Sequence, residues 1–592
     1  MAFTTQQQNA IDHDGHLLIV AGPGSGKTTT SVAKALRILK DPSRSLIMVT
    51  FTKEGAVEMR RRLDTAQEKA GGRPFDDDRL IISTFHSIAI RHLSRHTGKR
   101  KVLSPLQQGV LLQDSINAVG MDQDEQKEVR QHFESYMYAI DRSQVSFPER
   151  SMRVIEGYLT KLRSTGHTDL YTIMRDCALK VHDGSIPPMP YTDMLVDEGQ
   201  DTDALQKTWI FAHARAGCSV TIVGDDDQSI YEWRQALGYE GMKSFMDTFK
   251  ARRIELGDNF RCRQEILSHA VTLVQHNVNR LDKTLVARRG KGGGVAAIRT
   301  PGTDDQAQML AELVEGTQEQ HQNAVVLARK NRSLDVLEMQ LRSRGIEYKR
   351  LGKSIWENPN IAGYLGFLHT LVDNSPVGVL GALRHLGIDE SLKTELLSAM
   401  NGNAASFLDG NLPDLEHCTK EDKSRLSEFV KGSAYWRNQL RRGAAGSGSV
   451  REVVLEVGEV YAGWMRAKST KSLVELCSRI LGDMGGTLST RLRFVQEKNH
   501  DLSKANLILM TMHGSKGLEF ETVHIIDANL DDTDSMVVNF ESERRLMYVA
   551  LTRAKNRCVV WFSGDMHPTV KEAQIPLKHR MAEIKELVEK AG

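Results

Sequence analysis

Lys27 and Thr28 close a glycine-dense turn, Ala21-Gly22-Pro23-Gly24-Ser25-Gly26, and residues of these types in this order can hold a triphosphate. Gly22, Gly24 and Gly26 keep side chains out of the way, so successive backbone N–H groups can surround phosphate oxygens. Lys27 would reach the β- and γ-phosphates, and the Thr28 hydroxyl would hold Mg²⁺. Ala21 stands where the pattern opens on glycine, one small residue for another, and Thr29 follows the motif. The alternative is an ordinary turn between a core strand and a helix. The flanks favour the nucleoside-triphosphate site: Leu17–Val20 reads as a buried strand, and Ser31–Leu39 carries apolar residues at helical spacing. The helix start adds its positive dipole end.

Further along, the apolar run Tyr191–Val196 reads as a strand ending in Asp197-Glu198. Downstream of a phosphate loop, Asp197 would bind the Mg²⁺ shell and Glu198 would orient and deprotonate an attacking water. Solvated loop charge is the plainer reading of such a pair. A strand over Ser219–Val223 then leads into GDDDQSIYEWRQA. Gln228 in that stretch can hydrogen-bond a γ-phosphate and respond to its loss. Tyr231 and Trp233 beside Arg234 have the makeup of a stacking surface for unpaired bases; a hydrophobic plug at a domain boundary is the alternative.

These residues need a scaffold that brings strand ends together. Ser45–Thr50 and Leu80–Thr84 read as strands, each followed by a helical pattern, so the chain alternates as a doubly wound parallel sheet does. Thr50-Phe51-Thr52 and Thr84-Phe85-His86-Ser87 would then lie at the carboxyl edge of the sheet. Taken alone, Phe51 and Phe85 fit a core role better than a ligand role. From Lys99 to Pro190 the alternation gives way to amphipathic helices, with SIPPMP as the loop back into the sheet. A second alternating region starts near Asp258, and helical segments dominate again from Asp373 to His500. GAAGSGS (Gly443–Ser449) reads as a flexible linker inside that second helical region.

A chain of 592 residues exceeds what one core supports, so several domains are expected. A net charge of +2 confines any nucleic-acid surface to a local groove. The six cysteines lie far apart with no CxxC pair, which argues against a zinc or iron–sulfur cluster and against a disulfide scaffold. No secretory leader pattern opens the chain and no apolar stretch is long enough to span a bilayer, so a cytoplasmic, reducing location without a membrane partner is expected.

The order of the motifs resembles superfamily 1 helicases of the UvrD/PcrA/Rep type. AGPGSGKT, VDEGQDT and VGDDDQSIYEWR match that family's motifs I, II and III, and TFTKEGAVEM and TFHS match its DNA-contacting motifs. LGDNFRCRQEIL, QHNVNR, VVLARKNRSLDVLEMQLRSRGIEYKRLG, TMHGSKGLEFETVHII and ERRLMYVALTRAK continue the likeness to the second core. The resemblance implies an α/β fold: two RecA-like parallel-sheet P-loop cores, each with a helical insertion. The first core (1A) would be 1–98 and 191–257 with insertion 99–190 (1B). The second (2A) would be 258–372 and 501–592 with a short insertion 373–500 (2B).

It also implies ATP and Mg²⁺ as cofactors. Gln7 in QQQNAI would recognise adenine, Phe260 would stack on it and Glu519 would bind the ribose. Arg261 and Arg553 would be arginine fingers on the transferring phosphoryl group. Phe51, His86, Tyr231, Trp233, Arg234, Arg329, Asn331 and His513 would contact DNA. Phe260 replaces a usual Tyr, Thr29 an Arg, Gly199 a larger residue and Ala328 a frequent Tyr. The implied activity is ATP-dependent 3′→5′ movement on single-stranded DNA with duplex unwinding, in repair, recombination or replication. The expected partners are single-stranded DNA and its junctions with duplex, RNA being the lesser variant, and the chain is expected to be monomeric in isolation. A translocase that strips proteins from DNA and unwinds weakly, and a nucleotide-gated binding scaffold, are the alternatives. Lys27, Glu198, Gln228, Arg261 and Arg553 together argue against the scaffold.

Overall fold

The computed structural model describes residues 3–590 apart from 70, 73–74, 76–77, 318–322, 353, 355–357, 417, 443–446, 466–467, 497–505 and 531–538. It forms two compact units. The first joins Met1–Gly293 with Asp531–Asn556 and Lys571–Gln574; the second holds Gly294–Leu530, Arg557–Val570 and Ile575–Gly592.

The strands of the first unit include Leu17–Ala21 (β1), Leu46–Thr50 (β2), Leu80–Thr84 (β3), Lys101–Val102 (β4), His167–Thr168 (β5), Asp193–Val196 (β6), Ser219–Gly224 (β7) and Arg252–Leu256 (β8). Six of them make one sheet in the order β3-β2-β6-β7-β1-β8, all pairings parallel. Every residue of β1 is buried. Leu18 and Val20 enter one apolar cluster while Leu17, Ile19 and Ala21 enter another, because successive side chains of a strand point to opposite faces. A strand covered on both faces reads as an unbroken apolar run, as Leu17–Val20 does.

The helices that cover the sheet include Thr5–Asp12 (α1), Lys27–Lys40 (α2), Lys53–Lys69 (α3) and Phe85–Thr97 (α4). The helical stretch after α4 holds Pro105–Val119 (α5), Gln123–Tyr138 (α6), Glu149–Ser164 (α7) and Leu170–His182 (α8). Ile116, Phe133, Val154, Ile155 and Tyr158 give α5, α6 and α7 an apolar core of their own. This stretch is not purely helical, since β4 and β5 pair in parallel within it. Two-residue strands leave no periodicity to read. Tyr191 and Thr192 are not part of β6: the Tyr191 N–H turns back to the Met189 carbonyl (2.8 Å), and the ladder starts at Asp193.

The second unit is built on a seven-stranded parallel sheet. Numbered onward through Asp258–Asn259 (β9) and Val286–Ala287 (β10) of the first unit, its strands are Gly294–Arg299 (β11), Ala324–Ala328 (β12), Lys349–Arg350 (β13), Leu507–Thr511 (β14), Phe520–Ile526 (β15), Ala554–Phe562 (β16) and Leu577–Lys578 (β17). The order is β13-β14-β12-β15-β16-β11-β17. Helices between Pro359 and Gln496 share a separate core with Tyr364, Phe367, Phe429, Trp436 and Tyr461. Of the expected linker, residues 443–446 lie outside the described residues, as does the 500/501 domain boundary. Ser447–Ser449 are helical: the helix Ser447–Gly463 buries Val450, Val453, Val454 and Val457, and that apolar face carries the helix back into the Gly/Ser stretch. The two-sheet α/β architecture expected from the alternation is what the chain adopts. Among the described residues no helix is long and apolar enough to cross a membrane. No disulfide joins any of the six cysteines.

Candidate nucleotide and nucleic-acid sites

The carboxyl ends of β1, β7 and β6 are neighbours in the first sheet, and they carry the phosphate loop, Gln228 and Asp197-Glu198 in that order. Gly24 (φ +62°) and Gly26 (φ +80°) adopt left-handed backbone, and Gly26 caps α2 with no side-chain bond. No acidic residue stands in the first turn of α2, so its amino end keeps its partial positive charge. A Cβ on Gly24 would lie 2.5 Å from the Cβ of Arg261. Arg261 thus packs directly on the loop. Asn259 fixes that approach: its Nδ2 donates to the Pro23 carbonyl (2.6 Å), and its Oδ1 accepts from the N–H groups of Arg261 and Cys262 (3.0 and 2.7 Å). The Phe260 N–H donates to the Gly24 carbonyl (2.9 Å), leaving the Phe260 ring exposed.

Gln7 lies behind the loop. Its Nε2 donates to the Ser25 carbonyl (3.0 Å), and its Oε1 accepts from the Thr4 N–H in a capping box at the start of α1 (3.0 Å). Both ends of the amide expected to recognise adenine are therefore engaged within the protein. Ala21, Gly22, Pro23 and Ser25 are buried, Lys27 and Thr28 half-buried, and Thr29 exposed. Thr28 and Asp197 offer a hydroxyl and a carboxylate, the hard oxygen donors that suit Mg²⁺.

Glu198 has left-handed backbone (φ +52°), a conformation that costs a non-glycine residue of order 1–3 kcal/mol and turns its carboxylate out of the strand. Its Oε2 accepts from Gln200 Nε2 (2.6 Å), and Gln200 Oε1 accepts from the Asp225 N–H (3.0 Å). Gly199 beside it has a steric reason to depart from larger residues: a Cβ there would lie 2.2 Å from the Ile222 methyl.

Gln228 Nε2 donates to Asp225, and Gln228 Oε1 accepts from Arg553 Nη2 (2.9 Å). Arg553 is buried, and its Nε donates to the Val549 carbonyl (3.0 Å). Arg261 Nη1 donates to the neighbouring Thr552 carbonyl (3.1 Å). Burial, then the charge of Arg261, pulls the Arg553 guanidinium down to about 9. Two cations held this close in a desolvated place are an arrangement an anion would relieve. Gln228, Arg261 and Arg553 thus stand in one hydrogen-bonded cluster, to which Gln200 ties Glu198 through Asp225. Asn259, Gln200, Asp225 and Lys283 belong to the same network and were not singled out by sequence; the only signal was the unbroken Asp225-Asp226-Asp227 run, which needs a cation if buried.

The adjoining edge, at the ends of β2 and β3, carries Phe51 and His86. Phe51 stacks on Tyr231 (centroids 5.3 Å apart, planes 15° apart), and Tyr231 meets Trp233 edge-on at 6.3 Å. The Arg234 guanidinium lies 4.5 Å above the Trp233 ring. Trp233 is 53% exposed, unlike a core residue of its size. His86, Trp233 and Arg234 line a cavity of about 520 Å³ that reaches Tyr138 and Tyr171 of the helical stretch. Burial lowers the His86 pKa below its ordinary value, and the Arg234 charge lowers it further. Phe85 is core instead, edge-on to buried Trp209.

In the second unit, β12 and β14 pair with Ala328 opposite Thr511, so Arg329 and His513 follow adjacent strand ends. Burial and the charges of Arg329 and Lys516 lower His513 to about 4. Asn331 opens the next helix, where Arg350 Nη2 donates to its carbonyl (3.1 Å) and to its Oδ1 (3.3 Å). Glu519 is exposed just before β15, and Ala328 is buried in the sheet core.

Comparison with known proteins agrees with this geometry. Residues 3–250 match the UvrD/REP helicase N-terminal domain, and 254–375 with 447–563 match the UvrD-like helicase C-terminal domain. ATP-dependent DNA helicase Rep of Buchnera aphidicola is 25% identical over 94% of this chain and 91% of its own length. DNA helicase II of Escherichia coli is 27% identical over 93% and 82%, and ATP-dependent DNA helicase PcrA of Leuconostoc citreum 25% identical over 92% and 79%. With both halves matched in order around this phosphate loop, the chain belongs to the UvrD/Rep family of superfamily 1 helicases.

Proposed function

We propose that this chain hydrolyses ATP to move 3′→5′ along single-stranded DNA and to separate duplex at the junction ahead, serving repair, recombination or replication. That it is an ATP-hydrolysing DNA helicase follows from its family. The observation that carries the mechanism is that Gln228 and Trp233 stand on one loop, the first bonded to Arg553 and the second exposed beside Phe51, Tyr231 and Arg234. A change at the phosphates would reach the base-stacking surface through that loop.

The backbone of Gly22–Lys27 and the Lys27 ammonium would hold the triphosphate. Thr28 and Asp197 would hold Mg²⁺, which when bound neutralises charge on the β- and γ-phosphate oxygens. Glu198 would take the proton of the attacking water, and Arg261 and Arg553 would stabilise charge gathering on the γ-phosphoryl group. Gln228 would leave Arg553 for the γ-phosphate and return when it departs. Tyr231 and Trp233 would grip a base in one state and release it in the other, with Arg329, Asn331 and His513 gripping from the second core.

Strand displacement on duplexes tailed at either end tests this. Release of the strand from 3′-tailed substrate and little from 5′-tailed substrate is expected. The opposite preference would overturn the polarity, and the absence of DNA-stimulated ATP turnover would overturn the function. Lys27→Ala should abolish that turnover.

A further inference from the structure

Asp225, Asp226 and Asp227 follow β7 in succession and are all buried. Their carboxylates stand within 4.8 Å of one another, close enough to hold a metal ion. A lysine fills that place. Lys283 Nζ lies 2.9 Å from Asp225 Oδ1, 2.8 Å from Asp226 Oδ1 and 2.7 Å from Asp227 Oδ2, with its side chain fully buried. Arg280 adds a forked pair of bonds to Asp227 (3.1 and 2.8 Å), and the Leu281 N–H donates to Asp226 (2.6 Å). Residues 280–283 thus clamp the start of the loop that carries Gln228.

Of the three carboxylates, Asp225 is the one joined to the candidate catalytic groups. It accepts from Gln228 Nε2, and its own N–H is held by Gln200, which also holds Glu198. An amide has one donor end and one acceptor end. With Nε2 committed to Asp225, Oε1 of Gln228 must face Arg553, as it does. Lys283 pins Asp225 from the opposite oxygen.

We propose that Lys283 is a positioning residue for ATP hydrolysis: by holding Asp225, it sets the orientation in which Gln228 meets Arg553 and the γ-phosphate. This rests on the roles given above to Gln228 and Arg553. Without the ammonium, Asp225 and Asp226 lose their cation beside an Asp227 that Arg280 still pairs, Asp225 leaves its place, and the Gln228 amide is free to turn its N–H₂ toward Arg553, donor against donor. The ion pairs of Lys283 run to Asp225, Asp226 and Asp227, none of them assigned to nucleotide, so ATP binding should survive its loss.

The test is DNA-stimulated ATPase of Lys283→Met, with affinity for a fluorescent ATP analogue measured alongside. The expected result is a kcat lower by about thirtyfold, with KM and analogue affinity within about threefold of the native protein. A native kcat in Lys283→Met overturns the inference. Because losing a buried ammonium can unfold the protein, Asp225→Asn and Asp227→Asn form a second arm. Both lose a contact to Lys283, but Asp225 alone of the two bonds Gln228. Asp225→Asn should lower kcat by about thirtyfold and Asp227→Asn by less than about threefold. Equal losses in the two would reduce the cluster to a structural ion pair and overturn the inference. A native protein without DNA-stimulated turnover would refute the helicase reading itself, whereas an active native protein with an equally active Lys283→Met refutes this step alone.

Discussion

Arg553 Nη2 donates to Gln228 Oε1 across 2.9 Å, joining two side chains 325 residues apart in sequence. The bond couples the position of one to that of the other, so they should act as one unit on a bound γ-phosphate. Gln228→Ala and Arg553→Ala should each lower DNA-stimulated kcat by about 10²–10³-fold. The double variant should fall by less than about tenfold more than the worse single one, because contacting groups of one network are non-additive. Losses that multiply would place the two residues in separate steps.

Gly24→Ala adds one methyl where two objections meet. The backbone is left-handed, and the new Cβ would lie 2.5 Å from the Cβ of Arg261 and 3.1 Å from its backbone nitrogen. Backbone strain alone is worth about 1–3 kcal/mol, and the crowding forces Arg261 away from the loop. Both ATP-analogue affinity and kcat should fall, with a lower melting temperature. An alanine variant with native turnover would mean that Arg261 need not sit on the loop at all.

Trp233→Ala should behave in the opposite way. The ring is 53% exposed and its removal opens little core, so the melting temperature should hold. Base stacking is worth roughly 1–3 kcal/mol per base, so single-stranded DNA affinity should fall by about tenfold or more. ATP turned over per base pair unwound should rise, as steps slip. Unchanged coupling would return Trp233 to a packing role.

How far these sites could be read from sequence follows from how local each signal is. The phosphate loop, Asp197-Glu198 and the Phe51 and His86 strand ends were legible because each lies where an apolar run stops, and in a parallel sheet those stops share one edge. The Gln200–Asp225–Gln228 chain was not, since it joins the ends of β6 and β7 by side-chain geometry that no spacing encodes. Lys283 reads as one more charged residue in a polar stretch, and only its contacts make it interior. Gln7 is a different case: the family resemblance assigned it to adenine, and its bonds to Ser25 behind the phosphate loop and to Thr4 depend on the cap of α1, which no motif spells out. Phe85 resolved toward core because α4 begins at that very residue and turns its first ring inward against Trp209.

His213 gives the fold a pH dependence of known sign. It is buried on the helix Ala204–Arg215, with Nδ1 2.8 Å from the Trp209 carbonyl and Nε2 accepting from the Met189 N–H (3.0 Å). The carbonyl can only accept, so Nδ1 carries the proton, Nε2 is bare and the ring is neutral. Burial lowers its pKa from 6.5 to about 4. Between those values the unfolded chain binds a proton that the folded chain refuses, so stability rises with pH across the window and is lost as pH falls through it. A shift of that size is worth roughly 3 kcal/mol at most. His513, lowered in the same way to about 4, adds to the same slope in the second unit. Melting curves from pH 7 to 4.5 should therefore show the native protein weakening more steeply than His213→Asn, whose amide can donate and accept without titrating. The His513 share of the slope should persist in that variant. Parallel curves for the two proteins would show that His213 takes up its proton alike in the folded and unfolded chains, and that burial does not lower its pKa.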